Sequence, residues 1–160
     1  MASTYEPIAS ITVTGTPSDI TFTSIPGTYT DLVLIFQQSA STDTGGRFQV
    51  NGDTGSNYSD TRLGGNGSSA SSERYSNLTV GYPGIAYNTT LTIGRLTFMS
   101  YANTNVYKTV LSESGNAGVN VHRGVVLWRS TSAITSIKMF PSGANWDAGS
   151  TFALYGIKAA

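Results

Sequence analysis

Apolar and hydroxyl-bearing residues alternate along much of this chain, and that period-two pattern constrains its fold more than any other feature. Ile11 and Val13 alternate with Ser10, Thr12 and Thr14 until Gly15-Thr16-Pro17-Ser18 interrupts them. Ile20 and Phe22 alternate with Thr21 and Thr23 up to Ile25-Pro26-Gly27. Successive side chains of an extended strand point to opposite faces, so each run reads as a strand with one face turned inward. Thr suits the outward positions, because its β-branched carbon favours the extended backbone and its hydroxyl faces water. No window of ten residues carries a helical apolar stripe free of Gly and β-branched clusters, so a helical fold is excluded.

Further along, Leu32-Val33-Leu34-Ile35-Phe36 does not alternate, which predicts a central strand covered on both faces, by a second sheet and by a loop or neighbouring subunit. Arg47-Phe48-Gln49-Val50 alternates and meets Asn51-Gly52, a tight-turn signal because both residues tolerate positive φ. Asp53 to Asn77 is rich in Gly, Ser and Asn, with Tyr58, Leu63 and Tyr75 as its large anchors. It is expected to be a long loop or weak hairpin, and the foremost place for a functional excursion. Leu91–Met99, Val106–Leu111, Gly124–Arg129, Ile134–Phe140 and Thr151–Ile157 each read as strands, separated by turn-forming clusters. About nine to eleven strands at this spacing predict an all-β fold: a two-sheet antiparallel β-sandwich, jelly-roll-like. One domain is expected over residues 1–160, with 1–9 as an extended N-terminal arm.

Composition enters where function is asked. Ser and Thr supply 43 of the 160 residues, whereas cysteine is absent and His122 is the sole histidine. Acids and bases number nine each and are scattered singly. Acid–base, thiolate-metal and covalent catalysis have little to draw on here, so no enzyme activity and no cofactor are expected. A net charge of zero and no basic run offer no field for nucleic acid or an anionic membrane. The longest apolar run is five residues, far short of a membrane span. The first residues lack the basic start and apolar stretch of a signal peptide. The sequons at Asn57, Asn66, Asn77 and Asn88 are expected by chance in so Ser/Thr/Asn-rich a chain.

Individual candidates reduce in the same way. His122 has no sequence-evident nucleophile or ligand partner. Asn51 to Asn57 resembles an oxygen-ligand calcium loop but lacks its alternating carboxylates and terminal Glu; Asp53 and Asn57 are expected to tie a turn. Gly64 to Ser69 is Gly-rich without the Lys or helix of a phosphate cradle. Trp128 is expected in the core. Trp146, in the loop Gly143 to Gly149, is read three ways: stacking on a sugar, anchoring an interface, or plugging one end of the sandwich.

Several segments are familiar. Met1 to Ala9, Ile25 to Leu34, Phe48 to Tyr58, Leu127 to Thr131 and above all Ala148-Gly149-Ser150-Thr151-Phe152-Ala153-Leu154-Tyr155-Gly156-Ile157-Lys158 resemble a family of small structural proteins of tailed bacteriophages. The resemblance spans nearly the whole chain, Ser69 to Tyr87 being its least distinctive part. It implies a non-enzymatic, β-rich virion component with no catalytic residue to carry over. Related sequences look like capsid cement (decoration) proteins, while similar endings also occur in tail and fibre proteins.

The leading expectation is a cement protein, made in the host cytoplasm and located on the capsid exterior. Its partners would be the major capsid protein and copies of itself. The alternative is a tail or fibre module binding host glycan. Expected interface residues are Tyr5, Pro7 and Ile8 of the arm, then Tyr58, Arg62, Tyr75 and Trp146.

Overall fold

The computed structural model describes residues 4–158. Its first six strands are β1 (Tyr5–Thr12), β2 (Ile20–Phe22), β3 (Asp31–Gln38), β4 (Thr44–Val50), β5 (Tyr58–Gly65) and β6 (Ala70–Leu78). The rest are β7 (Ile85–Ala86), β8 (Thr92–Met99), β9 (Lys108–Asn116), β10 (Asn120–Trp128), β11 (Ile137–Pro141) and β12 (Thr151–Ile157). They form an eight-stranded sheet in the order β1-β12-β3-β8-β9-β10-β5-β6 and a four-stranded sheet in the order β2-β11-β4-β7. Every paired neighbour is antiparallel. The expected all-β, two-sheet antiparallel sandwich is therefore present. Its twelve strands divide eight and four, and the eight strands of a jelly roll do not account for that division.

The core lies between the sheets. Alternate residues of β3 (Leu32, Leu34, Phe36), β8 (Leu96, Phe98) and β12 (Phe152, Leu154) meet Phe48, Val50, Ile137 and Met139 of the smaller sheet. The Phe48 ring stands edge-on to Phe98 at 5.8 Å and to Tyr58 at 6.4 Å. That geometry favours the positive ring edge over the negative ring face. Gly94 is required beneath Phe36, since a Cβ there would lie 2.3 Å from the ring. The expected turn at Asn51-Gly52 has both residues at positive φ (52° and 67°), with Asp53 N donating to Val50 O at 2.9 Å.

Of the two readings of residues 53–77, long loop or weak hairpin, the hairpin is present: β5–β6 occupies most of the segment, with Arg62 opposite Glu73 and Leu63 opposite Ser72. Its second strand is polar because β6 is an edge exposed along nearly its whole length. Within this chain Leu32 to Phe36 is only partly covered on its outer face. Val33 is buried, but Ile35, next on the same outer face, is 42% exposed. Residues 5–9 of the expected arm begin β1, which pairs with β12 from Tyr5↔Ile157 to Thr12↔Thr151, with a bulge between Pro7 and Ala9. Ile8 and Ile11 pack against the core, and Pro7 is tolerated because β1 is an edge. Residues 1–3 of the expected arm lie outside the described residues.

Candidate functional site

The smaller sheet covers one face of the larger, and β5, β8, β9 and β10 turn every second side chain the other way. Cross-strand register sorts these outward residues into rows. One row is Ile93, Gly115, Val121, Gly65; the next is Arg95, Glu113, Arg123, Leu63; the third is Thr97, Leu111, Val125, Thr61. Ile93 and Val121 are each 61% exposed, Leu63 60%, Val125 47% and Leu111 42%. Isolated exposed apolar residues are ordinary, but neighbouring ones on adjacent strands form a continuous patch, which marks a contact surface.

The middle row supplies the polarity. Glu113 takes Arg95 on Oε1 and Arg123 on Oε2, the latter at 2.8 Å. Shallow depressions flank this charged row. One of about 320 Å³ lies among Leu63, Leu111 and Val125, and another of about 510 Å³ lies among Ile35, Ile93 and Val121. Both oxygens of Glu113 are engaged, so it is not placed as a base. The arrangement suits association: a rigid sheet, branched side chains and a three-residue ionic stripe.

A second cluster sits on the inner side of β5 and β6. The segment after β6 runs along β4, with Gly81 bridged to Phe48, and this lays Tyr82 against Arg62. The Arg62 guanidinium lies 3.9 Å from the Tyr82 ring centre and 4.5 Å from that of Tyr75. It binds both oxygens of buried Asp60, Nε to Oδ1 at 3.0 Å and Nη2 to Oδ2 at 2.8 Å. His122 meets Tyr82 edge-on at 5.0 Å and shares a 3.3 Å hydrogen bond, Nε2 to Ser112 Oγ. Burial, reinforced by the Arg62 charge, lowers the His122 pKa to about 4, so the imidazole is neutral at pH 7.

The sequence-expected residues scatter across the molecule. Tyr5 is exposed and edge-on to Tyr155 at 6.1 Å, Pro7 is exposed beside it, and Ile8 is half-buried under β1. Arg62 and Tyr75 come together in the inner cluster. Two are corrected. Tyr58 is wholly buried; its hydroxyl accepts from Val50 N at 3.1 Å and donates to Asp53 O at 3.3 Å. Burial pushes its pKa up to about 12. Trp146 is also wholly buried, with Nε1 donating to Met139 O at 3.3 Å and its ring 5.2 Å from Phe152. Neither side chain reaches the surface, and the plug reading of Trp146 is the one that holds. Asp53 is no calcium ligand in waiting: Trp128, Asn57 and Gly55 N already donate to it.

Sequence reasoning missed the outer face of β8, β9 and β10. A signal existed in Val125-Val126-Leu127-Trp128, where both strand faces are apolar. Such a run points to two covered faces, yet only the inner one is covered within this chain. No protein-family model matches the chain, and no curated protein matches it.

Proposed function

We propose that this chain is a structural protein of a tailed-phage virion, a capsid cement protein bound to the outside of the assembled head. The single observation that carries the contact function is the outer face of the larger sheet, with its continuous exposed apolar residues around the Arg95–Glu113–Arg123 stripe. The resemblance of the chain's segments to small phage structural proteins supplies the setting. Cement bound only to the assembled shell shifts the equilibrium toward that shell by mass action. Near-neutral charge suits copies packed side by side, because like-charged neighbours would repel. Counting copies per purified particle tests this reading. Hundreds are expected, with particles lacking the protein bursting at lower temperature while adsorbing normally. A few to tens of copies would overturn it.

A second reading, a tail or fibre module holding a host glycan, is favoured by one feature. A concavity of about 320 Å³ is lined by Arg62, Asn66, Glu73, Tyr82, Asn120 and His122, groups that suit sugar hydroxyls. It no longer includes Trp146. Failed adsorption with normal heat resistance in particles lacking the protein would select it.

A further inference from the structure

Strand register indicates what covers the outer face. On that face the cross-strand neighbours of β9 and β10 are Leu111 with Val125, Glu113 with Arg123, and Gly115 with Val121. A twofold axis running along the strands between β9 and β10 places each residue over its own cross-strand neighbour in the second copy. Glu113 then faces Arg123 of the second copy and Leu111 faces Val125 of the second copy. Val121 stands over Gly115 of the second copy, where a missing side chain leaves room for it. Further out, Ile93 falls over Gly65, Arg95 over Leu63 and Thr97 over Thr61 of the second copy.

We infer that this face joins two copies of the chain in a twofold dimer, with Glu113 and Arg123 of each copy forming a closed ring of four charges at its centre. No like charges meet anywhere in these rows. Moving the axis onto β9 itself would set Glu113 over Glu113 and Arg95 over Arg123, so charge excludes that register. Stacked sheets stay within about 30° of alignment, which preserves the pairings nearest the axis. Six strands (β3, β8, β9, β10, β5, β6) at about 4.8 Å spacing and three rows at about 6.7 Å give roughly 600 Å² of flat footprint. A standard interface buries about 800 Å² of accessible surface per partner, so the dimer falls in the standard or slightly smaller class. The inference uses the face that supports the contact reading. If the dimer holds, this face meets a second copy and the shell meets another surface. Sedimentation of purified protein tests the dimer and copy number per particle tests the cement reading, so the two failures are distinguishable.

The experiment is sedimentation equilibrium of the full chain between about 1 and 100 μM. The wild type is expected to dimerise. Arg123→Glu sets Glu113 against a carboxylate on both copies and is expected to weaken the dimer by about tenfold or more. Exchanging the charges of the whole row, Arg95→Glu, Glu113→Arg and Arg123→Glu, keeps each pairing within the chain and restores the dimer, which nonspecific stickiness would not do. Val121→Asp gives an independent disruption on an exposed position, with circular dichroism confirming that each variant is folded. A wild type that stays monomeric at about 100 μM overturns the inference. So does a dimer that neither Arg123→Glu nor Val121→Asp weakens, since it would use another surface.

Discussion

The indole Nε1 of Trp128 donates to Oδ2 of Asp53 at 2.6 Å, joining residues 75 apart in sequence. Asn57 Nδ2 donates to the same oxygen at 2.9 Å, and Gly55 N to Oδ1 at 2.8 Å. Burial alone would raise the Asp53 pKa, but these hydrogen bonds outweigh it and hold the carboxylate below its ordinary value. The loop between β4 and β5 is thus closed around one carboxylate, and the end of β10 is tied to it.

Asp53→Ala removes the shared acceptor of all three donors and strands a buried indole N–H. Hydrogen bonds to a charged group are worth about 1.5–3 kcal/mol each, though these are partly exposed and not additive. A loss of about 2–4 kcal/mol is expected, measured by urea unfolding followed through tryptophan fluorescence. A loss below about 0.5 kcal/mol would mean the loop holds without this anchor.

Acid should unfold the protein in two stages. His122 is neutral in the fold down to about pH 4, whereas in the unfolded chain it protonates near its ordinary value of 6.5. Between these values the unfolded chain binds the extra proton, so stability falls as pH drops from about 6.5 to 4, by up to roughly 3 kcal/mol. Asp53 acts lower still. Its depressed pKa contributes stability above the unfolded carboxylate value, and this is lost as pH falls through the folded one. Stability measured against pH for His122→Asn should lose the slope between pH 6.5 and 4 and keep the loss at lower pH. An unchanged slope would show that other groups set it.

Lys108 is wholly buried with no carboxylate partner among the described residues; its ammonium donates to the backbone oxygens of Asn103 at 2.6 Å, Val106 at 2.8 Å and Thr131 at 3.0 Å. Desolvation lowers its pKa, while three carbonyls keep a positive charge tolerable. Lys108→Met keeps the stem and removes the charge, leaving the two loops it joins without their common donor. About 2–3 kcal/mol of destabilisation is expected by denaturant unfolding, because each orphaned carbonyl costs about 1–3 kcal/mol unless water reaches it. Amide exchange should speed up over residues 103–106 and 131. Exchange unchanged there would refute the bridging role.

Trp146→Ala separates a plug from a binding residue. Emptying a buried Trp site costs about 3–5 kcal/mol through lost burial and the cavity left behind, and a comparable drop is expected by thermal or urea unfolding. A fully stable variant would place the ring outside the core.

Much of the architecture was legible in local pattern. Ile11/Val13, Ile20/Phe22 and the strands of the second half alternate because one face of each strand meets the opposing sheet, and the turn at Asn51-Gly52 is written in two residues that accept positive φ. Strand β6 was legible only as half of one alternative, the weak hairpin. Its pairing comes from its neighbour β5 and not from its own apolar content, and an exposed edge imposes no apolar alternation. Trp146 misled for the converse reason. Its flanking residues are polar and small, which describes the loop backbone but not where a large side chain finds room.

The sequence by itself determined the class of fold and the scarcity of catalytic groups, since strand periodicity and residue inventory are local properties. Only the tertiary structure decided which faces are inside. A period-two pattern says that a strand has two faces without saying whether anything covers the second. A two-layer sandwich covers only the inner face of each sheet, so the outward residues of β8, β9 and β10 stay bare within this chain, while Tyr58 and Trp146, polar in their surroundings along the chain, close over as core.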